Sequence, residues 1–134
     1  MNILNQCVLP IRTETDVVMV RQKVRAVSVE LKFSLVEQTK IVTAASELAR
    51  NVLNYGGGGT VAIEVLIRES KNGLRLTFED QGPGIPDIEL ALQDGYTTGG
   101  GLGMGLGGAK RLVNEFEITS RVGEGTRVMI TRWK

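Results

Sequence analysis

The sequence predicts an α+β two-layer sandwich, one mixed and mostly antiparallel sheet covered by helices on one face. Apolar residues alternate with polar ones at Val61, Ile63, Val65 and Ile67 and again at Leu74, Leu76 and Phe78, the two-residue period of half-buried strands. They recur at helical spacing at Val17, Val20, Val24, Val27 and Leu31, and then at Ile41, Ala45, Leu48 and Val52. The strands come in runs separated by a few helices, a pattern that suits α+β layering better than repeating strand-helix-strand units. With 134 residues the chain is expected to form a single domain over residues 1–134, large enough to bury a core without disulfide or metal staples.

The elements follow in order. Residues 3–11 read as a first strand, with Pro10 placing it at an edge or marking its end. The first helix spans about Asp16 to Leu31. Ser34, followed three residues later by Glu37, forms a capping box that opens a second helix running to about Tyr55, where Gly56 to Gly59 stops it. The two alternating runs form a hairpin with Lys71-Asn72-Gly73 as its turn. Regular patterning nearly vanishes from Gly82 to Gly108, a stretch long enough to be functional. A short helix is expected over about Leu106 to Asn114, then a closing hairpin, 117–122 and 126–133, turning on Gly123-Glu124-Gly125.

Composition removes several function classes. Sixteen basic residues face fifteen acidic ones, so no global field favours nucleic acid or an anionic membrane. Cys7 is the single cysteine and histidine is absent, which excludes an internal disulfide and nearly all zinc, copper and histidine chemistry. The opening MNILNQCVLPIR lacks the basic and long apolar regions of a signal peptide. The longest uncharged run, Gly95 to Ala109, is mostly glycine and falls short of the ~20 apolar residues that a membrane helix needs. The expectation is a cytoplasmic protein with neither nucleic acid nor membrane as partner.

Four stretches carry candidate chemistry. In ELARNVLN, residues 47–54, Glu47, Asn51 and Asn54 share one helix face, which suits a ligand site or a solvated polar stripe. In EDQGPGIPD, Asp80 ends an apolar strand and meets Gly82-Pro83-Gly84, either at a pocket mouth or as a plain Asp-Gly turn. GGGLGMGLGG, residues 99–108, holds seven of the chain's 17 glycines around Leu102, Met104 and Leu106. It contains a formal G-x-G-x-x-G, Gly103, Gly105 and Gly108, but no apolar strand precedes it, so a dinucleotide fold fails on context. Glycine-rich backbone running into a helix can hold phosphate oxygens, whereas flexible linkers use Ser with Gly and join domains. The fourth stretch, GEGT at 123–126, is adequate turn chemistry by itself.

In the order ExxxN, DxGxG, glycine-rich segment, GxGT, these stretches resemble the ATP-binding sites of the GHKL family, which includes gyrase, the Hsp90 chaperones, histidine kinases, MutL and bacterial anti-sigma serine kinases. The resemblance runs from about Ser34 to the end, and SELARN, EDQGPGIPDI, DGYTTGGGLGMGL and KRLVNEF are similar to the small switch kinases of stressosome signalling. It implies the GHKL (Bergerat) fold, with ATP and Mg²⁺ as cofactors. Asp80 would accept from the adenine amino group, supported by Thr126, and Gly82 and Gly84 would allow close approach of the nucleotide. Asn51 would hold Mg²⁺ and Glu47 would act as base. Gly101, Gly103 and Gly105 would offer N–H groups to the phosphates, with Leu102 and Met104 anchoring a lid of about Ile85 to Gly105 as it closes. Asn54 reads as a helix-surface residue, and Arg50 is adjacent and basic.

Without histidine the chain is no histidine autokinase, and its length leaves no room for appended output domains. The resemblance implies a serine/threonine kinase that phosphorylates a small STAS-domain antagonist and is then released to a second signalling protein, a phosphatase or sigma-factor regulator. The alternative is a nucleotide-dependent anti-sigma or partner-binding module without significant kinase activity. Glu47 favours the kinase, because a pure binder has no need of a base.

Overall fold

The computed structural model describes residues 2–92 and 105–134. The chain runs β1 (Asn2–Ile11), α1 (Glu14–Glu30), α2 (Leu35–Asn54), β2 (Gly59–Arg68), β3 (Lys71–Asp80), α3 (Ile88–Ala91), α4 (Gly105–Arg111), β4 (Glu115–Ser120) and β5 (Thr126–Trp133). The strands form one sheet in the order β1-β2-β3-β5-β4. All four pairings are antiparallel, so the sheet is the fully antiparallel limit of the expected mixture. β1 is an edge strand, as Pro10 implies.

Both long helices begin on the devices their sequences carry. At α2, Glu37 N–H donates to the Ser34 hydroxyl at 3.1 Å while Ser34 N–H donates to the Glu37 carboxylate at 2.8 Å. A second capping box, unmarked in the sequence reading, starts α1 two residues earlier than expected: Thr13 accepts from Asp16 N–H at 3.1 Å and Asp16 accepts in return. α1 ends with Lys32 in the left-handed region at φ 62°. Phe33 N–H there reaches the Ser28 carbonyl and Lys32 N–H the Val29 carbonyl, which closes the turn and buries Phe33.

The core lies between the helices and one sheet face. Val17, Val20 and Val24 of α1 and Ile41, Ala45, Leu48 and Val52 of α2 are buried with Val61, Ile63, Leu74, Leu76, Phe78, Val128 and Ile130 of the strands. The apolar periodicities of the sequence therefore point these residues inward as expected, whereas Ile67, the last of its run, lies outside this core and Leu66, of the opposite parity, is fully buried.

Four expectations need correction. The β2-β3 turn is not Lys71-Asn72-Gly73, because Lys71, Asn72 and Gly73 already pair with Arg68, Ile67 and Leu66. The chain reverses at Glu69 and Ser70, both left-handed at φ 51° and 69°, the conformation of a tight hairpin turn. Gly73 is needed for another reason: a methyl there would lie 2.5 Å from the Trp133 ring. α4 stops at Arg111 rather than Asn114, whose side chain accepts from Trp133 N–H at 2.7 Å. β4 accordingly starts at Glu115 and ends at Ser120. Within the stretch expected to lack regular structure, Asp87 caps the short helix α3 by accepting from Leu90 N–H at 3.0 Å.

Candidate nucleotide site

Strand register builds the first half of the site. Asp80, the last residue of β3, stands opposite Gly59 of β2 on one side and Thr126 of β5 on the other. Thr126 in turn faces Ser120 of β4, and their hydroxyls lie 2.8 Å apart. Asp80 and Thr126, forty-six positions apart in sequence, are therefore a cross-strand pair, as their expected joint role requires.

Ser120 is a polar junction that sequence reasoning missed. Its hydroxyl accepts from Ile85 N–H at 2.8 Å and lies 3.1 Å from the Gly125 carbonyl. Gly123 N–H adds a 2.7 Å bond to the Pro83 carbonyl. The loop after Asp80 is thus fastened to the β4-β5 turn by groups from both. A lone serine at a strand end gives no sign of this in sequence.

The glycines here have a packing cause. A methyl on Gly56 would lie 2.4 Å from the Asp80 Cγ, and one on Gly82 would lie 2.7 Å from the Gly56 Cα. The end of α2 is pressed against the Asp-x-Gly loop with no space for a side chain. Gly84, at φ 79°, would bring a methyl to 2.1 Å from the Arg121 carbonyl, and Gly125, at φ 85°, to 2.2 Å from the Asp80 carbonyl. Gly82 and Gly84 were expected to serve nucleotide approach; contacts within the chain already require glycine at both. Asp80 is held by an N–H from Gly82 to its Oδ1 at 2.9 Å.

The second half of the site is α2. Leu48, Asn51, Val52, Asn54 and Tyr55 border a cavity of about 440 Å³ with Asp80, Gly84, Gly105 and Thr126, walled by apolar residues such as Phe78, Ile85 and Val128. Such a volume falls in the range of small-ligand sites, and greasy walls with a few convergent polar groups suit a flat heterocycle. Of the expected site residues, the structure brings Asn51, Asp80, Gly84, Gly105 and Thr126 to this cavity. Gly82 lies beneath its rim against Gly56. Asn54, read as a helix-surface residue, is exposed but also borders the cavity. Gly101, Leu102, Gly103, Met104 and most of the expected lid lie outside the described residues.

Glu47 is buried at 6% exposure one turn before Asn51 and does not border the cavity. Among the described residues its carboxylate has no hydrogen bond or ion pair. Its carboxylate oxygens are not among the buried unpartnered atoms, so the head keeps access to water and is open to a proton or a ligand.

Among the described residues no group of three or more His, Cys, Asp or Glu could hold a metal by itself. That agrees with a magnesium ion, which takes one or two protein oxygens and completes its octahedron with phosphate oxygens and water. The half-buried Asn51 amide, whose side chain has no hydrogen-bond partner among the described residues, fits that requirement. Nor is any helix among the described residues long and apolar enough to cross a membrane.

Residues 36–134 match the family described as histidine kinase-, DNA gyrase B- and HSP90-like ATPase. The chain is 49% identical over 129 residues to the serine/threonine-protein kinase RsbT of Bacillus subtilis, covering 96% of this chain and 97% of that protein. It is also 34% identical over 119 residues to an anti-sigma F factor of Geobacillus kaustophilus, covering 84% and 80% respectively. Among solved structures it resembles the RsbU and RsbW domains of a Mycobacterium tuberculosis protein, with a TM-score of 0.66 at 20% identity, over 96% of this chain and 31% of that longer one. The last likeness concerns the fold.

Proposed function

The chain belongs to the histidine kinase-, DNA gyrase B- and HSP90-like ATPase family, and from that premise we propose that it is an ATP-dependent serine/threonine protein kinase of a bacterial partner-switching pathway. The observation that carries this reading is the convergence of Asn51 from α2 with the Asp80–Thr126 cross-strand pair on one apolar cavity, with the buried Glu47, which has no partner among the described residues, one helical turn away. The likeness to a serine/threonine kinase over nearly the whole of both chains supports the same chemistry.

In this reading the adenine enters between Phe78, Val128 and the Asp80 loop, and its exocyclic amine donates to the Asp80 carboxylate, which Gly82 N–H already orients. Thr126, fixed by Ser120, supports that contact from the neighbouring strand. Asn51 would hold magnesium, which when bound offsets phosphate charge, and the Gly105 N–H would serve the phosphates together with the other glycines of its segment. Glu47 receives the proton of the attacking hydroxyl. Phosphoryl transfer asks for positioning and charge neutralisation more than covalent chemistry, so this short inventory suffices.

The acceptor is a serine or threonine on a separate small STAS-domain antagonist, and release after transfer frees the chain for a second signalling protein, a phosphatase or sigma-factor regulator, in the cytoplasm. Phosphate added to the acceptor repels the nearby Glu47 and loosens the complex. The likeness to anti-sigma F factors supports a second reading, a module whose nucleotide selects between partners. Incubating the chain with labelled ATP, Mg²⁺ and a candidate antagonist separates the two: label on the antagonist's Ser or Thr is expected, and stable binding without transfer overturns the kinase reading in favour of the module. An antagonist with its acceptor Ser changed to Asp should bind more weakly than one changed to Ala; equal affinity overturns release by phosphorylation.

A further inference from the structure

Among the described residues three arginines are half-buried: Arg50, Arg75 and Arg132. Arg75 donates from Nε to Glu64 at 2.8 Å, and Arg132 donates from a terminal nitrogen to the Leu112 carbonyl at 3.0 Å. Arg50 has no hydrogen bond or ion pair among the described residues. It shares a flank of α2 with Glu47, three residues before it, and Asn54, four residues after it, and it directly precedes Asn51. Glu47 and Arg50 carry opposite charges one turn apart, yet they form no ion pair. Part of the residue is covered while its guanidinium nitrogens still reach water, so the five donors of that head are open to an anion supplied from outside the chain.

Arg50 does not itself border the cavity, but its helix neighbours Asn51 and Asn54 do, and the cavity's own charges give that head a specific use. Its charged border residues are Asp80 and Asp87, both acidic, so among the described residues nothing lining it offsets the charge of a nucleotide's phosphates. We propose that Arg50 is a phosphate-reading residue of this site, whose guanidinium binds the γ-phosphoryl oxygens of ATP before and during transfer. The proposal rests on the kinase reading above and adds the residue that distinguishes triphosphate from diphosphate. In the transfer, the bond between the γ-phosphorus and the oxygen bridging it to the β-phosphate breaks, and ADP leaves with that electron pair. A new bond joins the γ-phosphorus to the acceptor hydroxyl oxygen, whose proton passes to Glu47. Arg50 exchanges no proton; its planar fork matches two equatorial oxygens and offsets the charge spread over them in the transition state. ADP lacks those oxygens and does not engage it.

The test titrates wild type, Arg50→Gln and Arg50→Lys with ADP and with a non-hydrolysable ATP analogue by calorimetry, and measures single-turnover transfer to the antagonist. In Arg50→Gln, ADP affinity should stay within about twofold, which also reports an intact fold, while analogue affinity falls about tenfold, as for a lost charge-assisted pair. Transfer should fall about 10³-fold, the lower end for an arginine acting on a transferring phosphoryl group. Arg50→Lys should recover part of the analogue affinity by keeping the charge without the fork. An analogue-to-ADP affinity ratio unchanged in Arg50→Gln overturns the proposal and leaves the kinase reading standing. Equal loss of both ligands makes Arg50 a structural residue and also overturns it. A wild type that binds neither nucleotide overturns the nucleotide site itself, and the role of Arg50 with it.

Discussion

In the proposed reading Asp80 serves binding and Glu47 chemistry, and their surroundings differ accordingly. Asp80 borders the cavity and is oriented by Gly82 N–H, so Asp80→Asn should weaken ATP and ADP alike by about 10- to 100-fold, the worth of one hydrogen bond to a charged group. Calorimetry giving wild-type affinities would remove Asp80 from the site. Glu47 lies behind the border, so Glu47→Ala should keep nucleotide affinity within about tenfold while transfer drops by roughly 10² to 10⁴, the share of a lost general base. Full transfer by that variant would place the base elsewhere. Gly56 acts through Asp80: the methyl of Gly56→Ala needs space that the Asp80 carboxylate now occupies, 2.4 Å from its Cγ. Displacing the carboxylate should cost at least about tenfold in affinity for both nucleotides with the circular dichroism spectrum unchanged, because the lost bond is of the same kind as in Asp80→Asn. Unaltered binding would show that this contact does not set the carboxylate.

At the scale of elements, α2 supplies one wall of the site, and its first turn carries a pH-sensitive device. The Ser34 N–H donating to the Glu37 carboxylate holds that carboxyl below the usual glutamate range against a burial cost, helped by the Ser34 hydroxyl and the positive charges of Arg132 and Lys134. A carboxyl depressed by folding contributes stability that is present above its unfolded value and lost as pH falls through its folded value. The stabilising share of this capping box should therefore fade on acidification below the ordinary glutamate range. Denaturant titrations of Glu37→Gln, which keeps the capping acceptor and removes its charge, should show a shallower acid-side loss of stability than wild type and a cost at neutral pH of about 0.3 to 1 kcal/mol, the worth of a charge at a helix N-terminus. An identical pH slope in the two proteins would count against it. Ser120 does comparable work for the loops, since one hydroxyl fastens the segment after Asp80 to the turn before Thr126.

For the whole molecule, the cavity is where layers meet: α2 forms one wall, β3 and β5 the floor, and the Asp-x-Gly loop with the start of α4 the rim. A ligand bound there is held by the helix layer and the sheet together and binds only the folded chain. Nucleotide at 100 times its dissociation constant should add about 2.7 kcal/mol to unfolding stability and raise the melting temperature accordingly. The same ADP concentration applied to Asp80→Asn should give a much smaller rise. Equal shifts in the two proteins would mean that nucleotide stabilises through some other surface.

Periodicity and caps were enough to read the α+β sandwich, the inward faces of both long helices and the Ser34 start of α2, because these depend on residues within a few positions of each other. That Asn51, Asp80 and Thr126 belong together came from the family resemblance of the motif order, since each stretch alone also fits a polar stripe or a plain turn, and the structure brings all three to one cavity. The β2-β3 turn was misread because Gly73 signals a turn locally, while its real cause is the Trp133 ring from a strand that pairs with β3. Gly56 and Gly125 read only as a helix stop and a turn, and Ser120 only as one position of a strand, for the same reason. Their partners, Asp80 and the Ile85 N–H, are distant in sequence and arrive only when the sheet register closes. The sequence by itself determined which elements form and which residue types stand at their ends. Tertiary structure alone decided that Glu47 is buried and Arg50 half-buried, neither with a hydrogen-bond or ion-pair partner among the described residues, and that the glycines near Asp80 are pressed against its side chain and neighbouring backbone, since burial and close approach are set by what the rest of the chain places alongside.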